Sequence, residues 1–503
     1  MKEHTFKKTI KNSLVGGIAF FINFINSILV VPLFLKYWGI ERYSDWITVQ
    51  AIFSLFQLLD AGHRSYVSIE LNISAQKDFE KARILLSSSL LFSVILACIP
   101  VILLAVLHLA GLFDFFFTIN TNSEEGFKLF IALIILQVFS VFSGNTIAIL
   151  FSLLYPLDKL FKTQVFGLFS NCITTIVIIL IAVCDLKIIP AVICYSSAQF
   201  AISIATVFYV KKEADVFFPL TKKIDIRTGF KNLYKSLYVS LNAFMTQFSQ
   251  NGIIILLSHL QMAIFIPKFT SIKTIGNLST KVSSIFATAT IFDIAKYHLS
   301  NEPKKINSIL HFNWIVSGFI FNAVLLLIDP FIEGLYMKWT QGVIPFDRNF
   351  YLMIIISASF VNYGFILGQY FVVINDIKNQ NYALIIKFLG LFIPIFFAYK
   401  ALGIYSIGIG LIVSELLGSI IIPFFLIRKY NVFNANIKFP LKEFIYSIIP
   451  MIILLGYYIT SAIFGFKLVL YILFFLLIPI AYFLNWRLVD DAIKSKLLRN
   501  SKQ

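Results

Sequence analysis

Apolar runs of roughly 20 residues, long enough to cross about 30 Å of hydrocarbon, recur along the whole chain between short polar segments. They predict helices at about 12–36, 44–66, 84–110, 128–154, 163–184, 189–210, 236–261, 267–290, 308–330, 350–374, 382–400, 404–427, 443–463 and 467–486. The expected class is therefore an all-α integral membrane protein of about 14 transmembrane helices, with both termini on one side. A β-barrel would show short alternating segments instead. The first run is too long for the apolar core of a cleavable signal, and no small-residue cleavage site stands out, so it reads as an uncleaved first helix.

Composition agrees. Hydrophobic residues make up 59% of the 503 positions and charged residues 13%, so most apolar side chains must face lipid rather than one buried core. The net charge of +17 raises the question of nucleic acid. Its distribution answers it: of 42 Lys and Arg, the inner segments hold 30, the outer ones 8 and the helix interiors 4. That bias places both termini in the cytoplasm beside anionic lipid and excludes a nucleic-acid role. Cys98, Cys172, Cys184 and Cys194 all lie in apolar runs, which predicts neither disulfide nor metal site.

The longest inner segment, residues 211–235, reads as a linker between two halves. An offset of 223 sets Asn23, Asn26 and Ser27 on Thr246, Ser249 and Gln250. The same register sets Gln50, Ser54, Gln57 and Ala61 on Lys273, Asn277, Thr280 and Ser284. Three parts follow: an N-lobe of six helices at 1–235, a C-lobe of six helices at 236–430, and an extra helix pair with a cytoplasmic tail at 431–503. The repeat has parallel topology, a design that puts transporter sites near the bilayer midplane.

The eighth span carries cations. Turned at about 100° per residue, it sets Lys273, Asn277 and Lys281 on one face and Ile272, Ile275, Leu278, Val282 and Phe286 on the other. Counted from Pro267 at the helix start, Lys273 lies about 9 Å and Lys281 about 21 Å into the span. A lysine facing lipid at the helix centre costs about 2.5–3.5 kcal/mol. Lys268, near the rim, can snorkel, but the deeper face must look onto water or anions. Asp60, Glu415, Asp45 and Asp293 are the acids that could pair with these lysines, yet only Glu415 sits deep. One deep acid does not balance two deep lysines, so an anion site is the expectation.

Neutral polar stripes accompany it: Asn23, Asn26 and Ser27 on helix one, Trp46, Gln50, Ser54, Gln57 and Arg64 on helix two, Asn242, Thr246, Ser249 and Gln250 on helix seven. They predict a shared hydrated cavity whose amides and hydroxyls suit sugar hydroxyls, with Trp46 stacking on a sugar ring. The alternative is plain interhelical hydrogen bonding. Glu415 and Asp60 are candidate proton or sodium carriers. Pairing with Lys387 is the other reading of Glu415, and the inner end of helix two the other reading of Asp60-Ala61-Gly62. No metal-spaced His cluster, nucleophile elbow or phosphate-cradling Gly loop occurs, so neither catalytic residues nor a bound cofactor are expected.

The segment VVPLFLKYWGIERYSDWITVQAIFSLFQLLDAG, residues 30–62, resembles the opening of Wzx-type polysaccharide flippases of the multidrug/oligosaccharidyl-lipid/polysaccharide exporter superfamily. Pro32, the Tyr37-Trp38-Gly39 turn, Tyr43-x-x-Trp46 and Asp60-x-Gly62 carry the likeness; Ser44 departs from the family's glycine. The likeness in layout covers residues 1 to about 430, and the final helix pair resembles that of fourteen-span relatives. The resemblance implies movement of an undecaprenyl-pyrophosphate-linked oligosaccharide, such as an O-antigen unit for lipopolysaccharide, to the outer leaflet of the bacterial cytoplasmic membrane. It also implies alternating access, coupling to an ion gradient or the membrane potential, and contact with membrane lipids and other polysaccharide assembly proteins. Lys273 and Lys281 occupy positions where the family places cavity cations. The alternatives are a multidrug antiporter of the same superfamily and an integral-membrane glycan polymerase or glycosyltransferase.

Overall fold

The computed structural model describes residues 2–75, 77–114, 121, 123–157, 159–218, 224–260, 262, 264–290, 294, 297–298, 300, 302–373, 376–429, 441–464 and 468–487. Side chains are described from Ile18 onward, with gaps that include 250, 278–279 and 282–289. Asp293, one of the acids considered above, lies outside the described residues, and so does the side chain of Gln250.

Among the described residues every regular element is a helix. The chain divides into two compact units. The first comprises Met1–Phe269 with Trp339–Ile344, the second Thr270–Lys338 with Pro345–Gln503. Helix α7 of the predicted C-lobe thus falls with the first unit, and the C-terminal helix pair falls with the second.

The first unit is built on α1 (Lys2–Ala75), α2 (Phe79–Leu109), α3 (Glu124–Ser143), α4 (Asn145–Phe151), α5 (Leu160–Val183), α6 (Ile188–Glu213) and α7 (Ile226–His259). Helix α1 is two limbs joined at Gly39, whose φ of 71° and ψ of −178° break the helix. That is the Tyr37-Trp38-Gly39 turn between the first two predicted spans. The second limb does not stop at Asp60-Ala61-Gly62. It runs on to Ala75, because nothing in 63–75 is a breaker and its apolar face, Val67, Leu71 and Ala75, buries against Leu85, Leu86, Leu150, Leu154 and Phe217. Pro32 has no N–H, so the carbonyl of Ile28 loses its helical donor. The indole N–H of Trp339 donates to that carbonyl at 2.7 Å.

The second unit holds most of α8 (Phe265–Ala289), then α9 (Pro303–Ile328), α10 (Ile332–Trp339), α11 (Arg348–Val373), α12 (Ile377–Leu402), α13 (Tyr405–Glu415), a π-helix (Leu416–Ile421), α14 (Ile422–Lys429), α15 (Leu441–Phe464) and α16 (Leu468–Arg487). Helix α11 lies at its centre, packed against α9, α12, α13 and α15. Small residues let the backbones approach. Gly276 of α8 meets Ile354 and Ala358 of α11, and Gly364 of α11 meets the backbone of Ser419. In lipid, where burial gives no hydrophobic drive, such close contact supplies the helix–helix attraction. The final pair is fastened by polar groups. Arg348 donates to Asp329 at 2.7 Å and to Ser461 at 3.1 Å, while Tyr457 donates to the same Asp329 oxygen at 2.6 Å.

Each of the fourteen predicted spans is occupied by helix, the first two by the limbs of α1 and the twelfth by α13, the π-helix and α14 together. Among the described residues nine stretches are long and apolar enough to cross a membrane. The chain is an all-α multi-pass membrane protein. The kink gives a direct test. A Cβ at Gly39 meets nothing within 4 Å, so Gly39→Ala pays for the backbone conformation alone, roughly 1–3 kcal/mol in this glycine-favouring region. Gly334, helical and equally open, gives the control: Gly334→Ala should be neutral or stabilise by up to about 1 kcal/mol. The expected outcome is a lower thermal midpoint for Gly39→Ala alone, read on the purified protein in detergent.

Candidate functional site

The charged centre of the second unit forms where α12, α13 and the π-helix meet. Lys387 of α12 pairs with Glu415, the last residue of α13, at 2.7 Å, and the other carboxylate oxygen accepts from Ser419 at 2.6 Å. Both groups are largely enclosed, with 21% and 9% of their side chains exposed. The backbone is shaped for this. Directly after Glu415 the helix widens into the π-helix, a form that is rare and concentrated at functional sites. Gly418 within it presses on Lys387, where a built Cβ would collide with the lysine Cβ. Ser414 donates to the Lys387 carbonyl at 2.6 Å.

Lys273 joins this centre. It is half-buried on α8, and Glu415 and Lys387 are among the groups that act on it electrostatically. Lys387 is the cation the periodicity did not select: it lies in an apolar span with no polar stripe to flag it. Glu415 is committed to Lys387 and Ser419. Lys281 and Asn277 of the same polar face are exposed. In the first unit Lys268 stands over the Phe265 ring at 5.5 Å.

The neutral candidates divide. Asn23 is exposed, Asn26 and Asn242 are half-buried, and the Asn26 side-chain oxygen is enclosed without a hydrogen-bond partner. Gln50 is half-buried, and its amide nitrogen likewise lacks a partner. Ser54 accepts from Asn251 at 2.6 Å, a residue outside the predicted stripes, so part of the polar pattern is interhelical bonding. Gln57 lines a cavity between α1, α3 and α6. Trp46 does not present a stacking face. It is 6% exposed within an aromatic cluster, its ring 6.0 Å from both Phe34 and Tyr195. Aromatic area of this size is satisfied by neighbouring rings, and spacing alone did not separate a core tryptophan from a cavity wall.

Asp60 is not at a helix end but inside the second limb of α1, 4% exposed. Ser93 of α2 donates to one of its oxygens at 2.9 Å, and the other oxygen has no partner. One turn on, His63 is fully buried, with one ring nitrogen 3.2 Å from the Ser89 carbonyl. Arg64 beside it is half-buried. Gly62 lies between them, and a built Cβ there would overlap the Ser240 backbone nitrogen. The glycine is where α1 and α7 touch backbone to backbone. Among the described residues no group of His, Cys, Asp and Glu has the arrangement of a metal site.

No family model matches the sequence, and a comparison with curated proteins finds no match. Solved structures do match. Lipid II flippase MurJ in an inward closed conformation aligns at a TM-score of 0.67 and 17% identity, covering 97% of this chain and 100% of that one. An inward-facing multidrug resistance MATE family transporter of the MOP superfamily aligns at 0.64 and 15% identity, covering 82% of this chain and 95% of that one. The MATE multidrug transporter DinF-BH aligns at 0.61 and 15% identity over 84% and 95%. At these identities the likeness is one of fold: the chain has the helical transporter architecture that a lipid flippase and multidrug exporters share.

Proposed function

We propose that the chain is a flippase for an undecaprenyl-diphosphate-linked oligosaccharide, carrying it from the cytoplasmic to the outer leaflet of a bacterial cytoplasmic membrane, with both termini in the cytoplasm. The observation that supports this reading is the gathering of two lysines, Lys273 and Lys387, about Glu415 within the second unit. A diphosphate crossing hydrocarbon faces a desolvation penalty of several kcal/mol or more per charge, and ammonium groups at depth offset it. Lys281, exposed on the same helix and about 12 Å along it from Lys273, would receive the anion at another depth. The greater coverage by the flippase fold, 97% against 82% for a drug exporter, is consistent with this choice. A proton or sodium gradient, or the membrane potential, would drive the cycle, and Asp60 is the candidate carrier, since Glu415 already holds a cation.

Exchange of organic cations is the second reading. The partnerless buried oxygen of Asp60 favours it, because a cation exporter needs a carboxylate that is open to a ligand. Lipid composition of a deletion strain separates the two. Complete lipid-linked oligosaccharide held on the inner leaflet supports the flippase, whereas drug sensitivity with normal surface glycan supports the exporter.

Two variants read the charge centre. In proteoliposomes Lys273→Ala should lose roughly 10–150-fold in apparent affinity for the diphosphate lipid, the worth of one charge-assisted contact of about 1.5–3 kcal/mol. Unimpaired transport by a correctly inserted Lys273→Ala protein would remove the anion site. Glu415→Gln should cost stability toward the lower end of about 3–5 kcal/mol, because Lys387 keeps 21% of its side chain exposed. Undecaprenyl diphosphate should raise the thermal midpoint of Glu415→Gln more than that of the parent, the ligand replacing the missing carboxylate. The joint change Lys387→Met with Glu415→Leu should recover part of the stability, Lys273 being left without Glu415, and weaken the lipid response without abolishing it.

A further inference from the structure

The first unit contains a cavity of about 170 Å³ between α1, α3 and α6. Among the described residues no charged side chain lines it. Its walls offer two amides, Gln57 and Gln199, hydroxyls that include Ser143 and Ser196, and the rings of Phe53 and Phe139. Ser196 is 2% exposed, and its hydroxyl has no hydrogen-bond partner, so a buried donor and acceptor is turned to the cavity without protein company. A buried hydroxyl of this kind is costly unless something answers it.

The fold keeps this space open. Helix α3 ends at Ser143 and α4 begins at Asn145, with Gly144 between them at φ −86° and ψ −140°. A built Cβ on Gly144 would stand 3.0 Å from the side-chain oxygen of Gln57 and 2.7 Å from the Ser140 carbonyl. Any larger residue would push into the side of the cavity where Gln57 stands. Ser203 donates to the Ser143 carbonyl at 3.2 Å, which stabilises the break. Gln199 is fixed from behind, its amide donating to Thr174 at 3.0 Å.

The chemistry selects a ligand. A space of this volume equals that of about six water molecules, at roughly 30 Å³ each, and so accommodates one sugar ring. Amides and hydroxyls supply both donors and acceptors, which match the hydroxyls of a pyranose. The two phenyl rings supply apolar surface for its C–H faces. An organic cation would find no carboxylate among these lining residues, and a phosphate no ammonium. We propose that this cavity is a subsite for one neutral monosaccharide unit of the transported headgroup, distinct from the lysine centre of the second unit. The assignment rests on the flippase reading above and adds to it where the sugar is recognised.

The test compares two lipids in proteoliposomes of the full chain: undecaprenyl diphosphate carrying one N-acetylhexosamine, and bare undecaprenyl diphosphate. The quantity read is the ratio of their transport efficiencies. The parent should favour the glycosylated lipid. Ser196→Leu, which fills the cavity, should reduce that ratio roughly tenfold or more, and Ser196→Ala, which removes only the hydroxyl, should reduce it by less. Lys273→Ala should depress both lipids and leave the ratio in place. Should Ser196→Leu fail to fold, Ser196→Ala decides by itself. A parent that transports both lipids equally, or folded Ser196 variants with an unchanged ratio, overturns the sugar subsite and leaves the flippase reading standing. A parent that moves neither lipid overturns both.

Discussion

An ammonium group inside a helical bundle that crosses lipid has to be answered by an anion, by water or by dipoles, since the hydrocarbon offers none of them. In the second unit Glu415 is the answer to Lys387, and it is shared with Lys273. The local backbone follows from that need. The π-helix after Glu415 and the absence of a side chain at Gly418 bring α12 against the carboxylate, and Ser414 and Ser419 hold the two ends of the pair. Among the described residues Glu415 is the carboxylate that acts on both lysines. A pair alone would be structural; the second lysine beside it is what the proposed anion site rests on.

Close backbone approach is the second constraint, and it explains where glycine and serine stand. Gly62 meets Ser240, Gly364 meets Ser419, and Gly418 meets Lys387, each at a distance no side chain could occupy. Van der Waals contact and hydrogen bonding at such crossings replace the hydrophobic drive that holds a soluble core. The same closeness buries polar atoms. Asp60 and His63 flank Gly62 and are enclosed where α1, α2 and α7 come together, each with one side-chain atom lacking a partner.

The architecture was legible because its cause is local. Runs of apolar residues mark spans whatever the tertiary arrangement, and the Tyr37-Trp38-Gly39 kink shows in sequence because only glycine takes a φ of 71° without strain. Lys273 was legible for the same reason, a cation among helical periodic apolar residues. Lys387 was not. Its role arises from a contact 28 residues away along the chain, and its own span is otherwise apolar. The run of α1 to Ala75 was missed because polar residues after Gly62 look like a loop until Val67 and Leu71 find α2 and the 217 region to cover them. Trp46 was misread because amphipathic spacing places a side chain on a face and says nothing of what covers that face.

A lipid carrier with a saccharide headgroup poses two unlike solvation problems, and a single lining cannot solve both. The diphosphate needs formal charge, which only an ammonium or guanidinium supplies at depth. The sugar needs balanced donors and acceptors with apolar surface between them, and a lysine there would be a buried charge without a counter-ion, costly in the empty protein. On the proposed reading the chain keeps these chemistries apart. Lys273 and Lys387 lie in the second unit, while the amide- and hydroxyl-lined cavity of the first has no charged group among its described lining residues. No residue lining the cavity takes part in the Lys387–Glu415 pair, so substitutions among Ser, Gln and Gly there leave the pair's own contacts with Ser414 and Ser419 as they are.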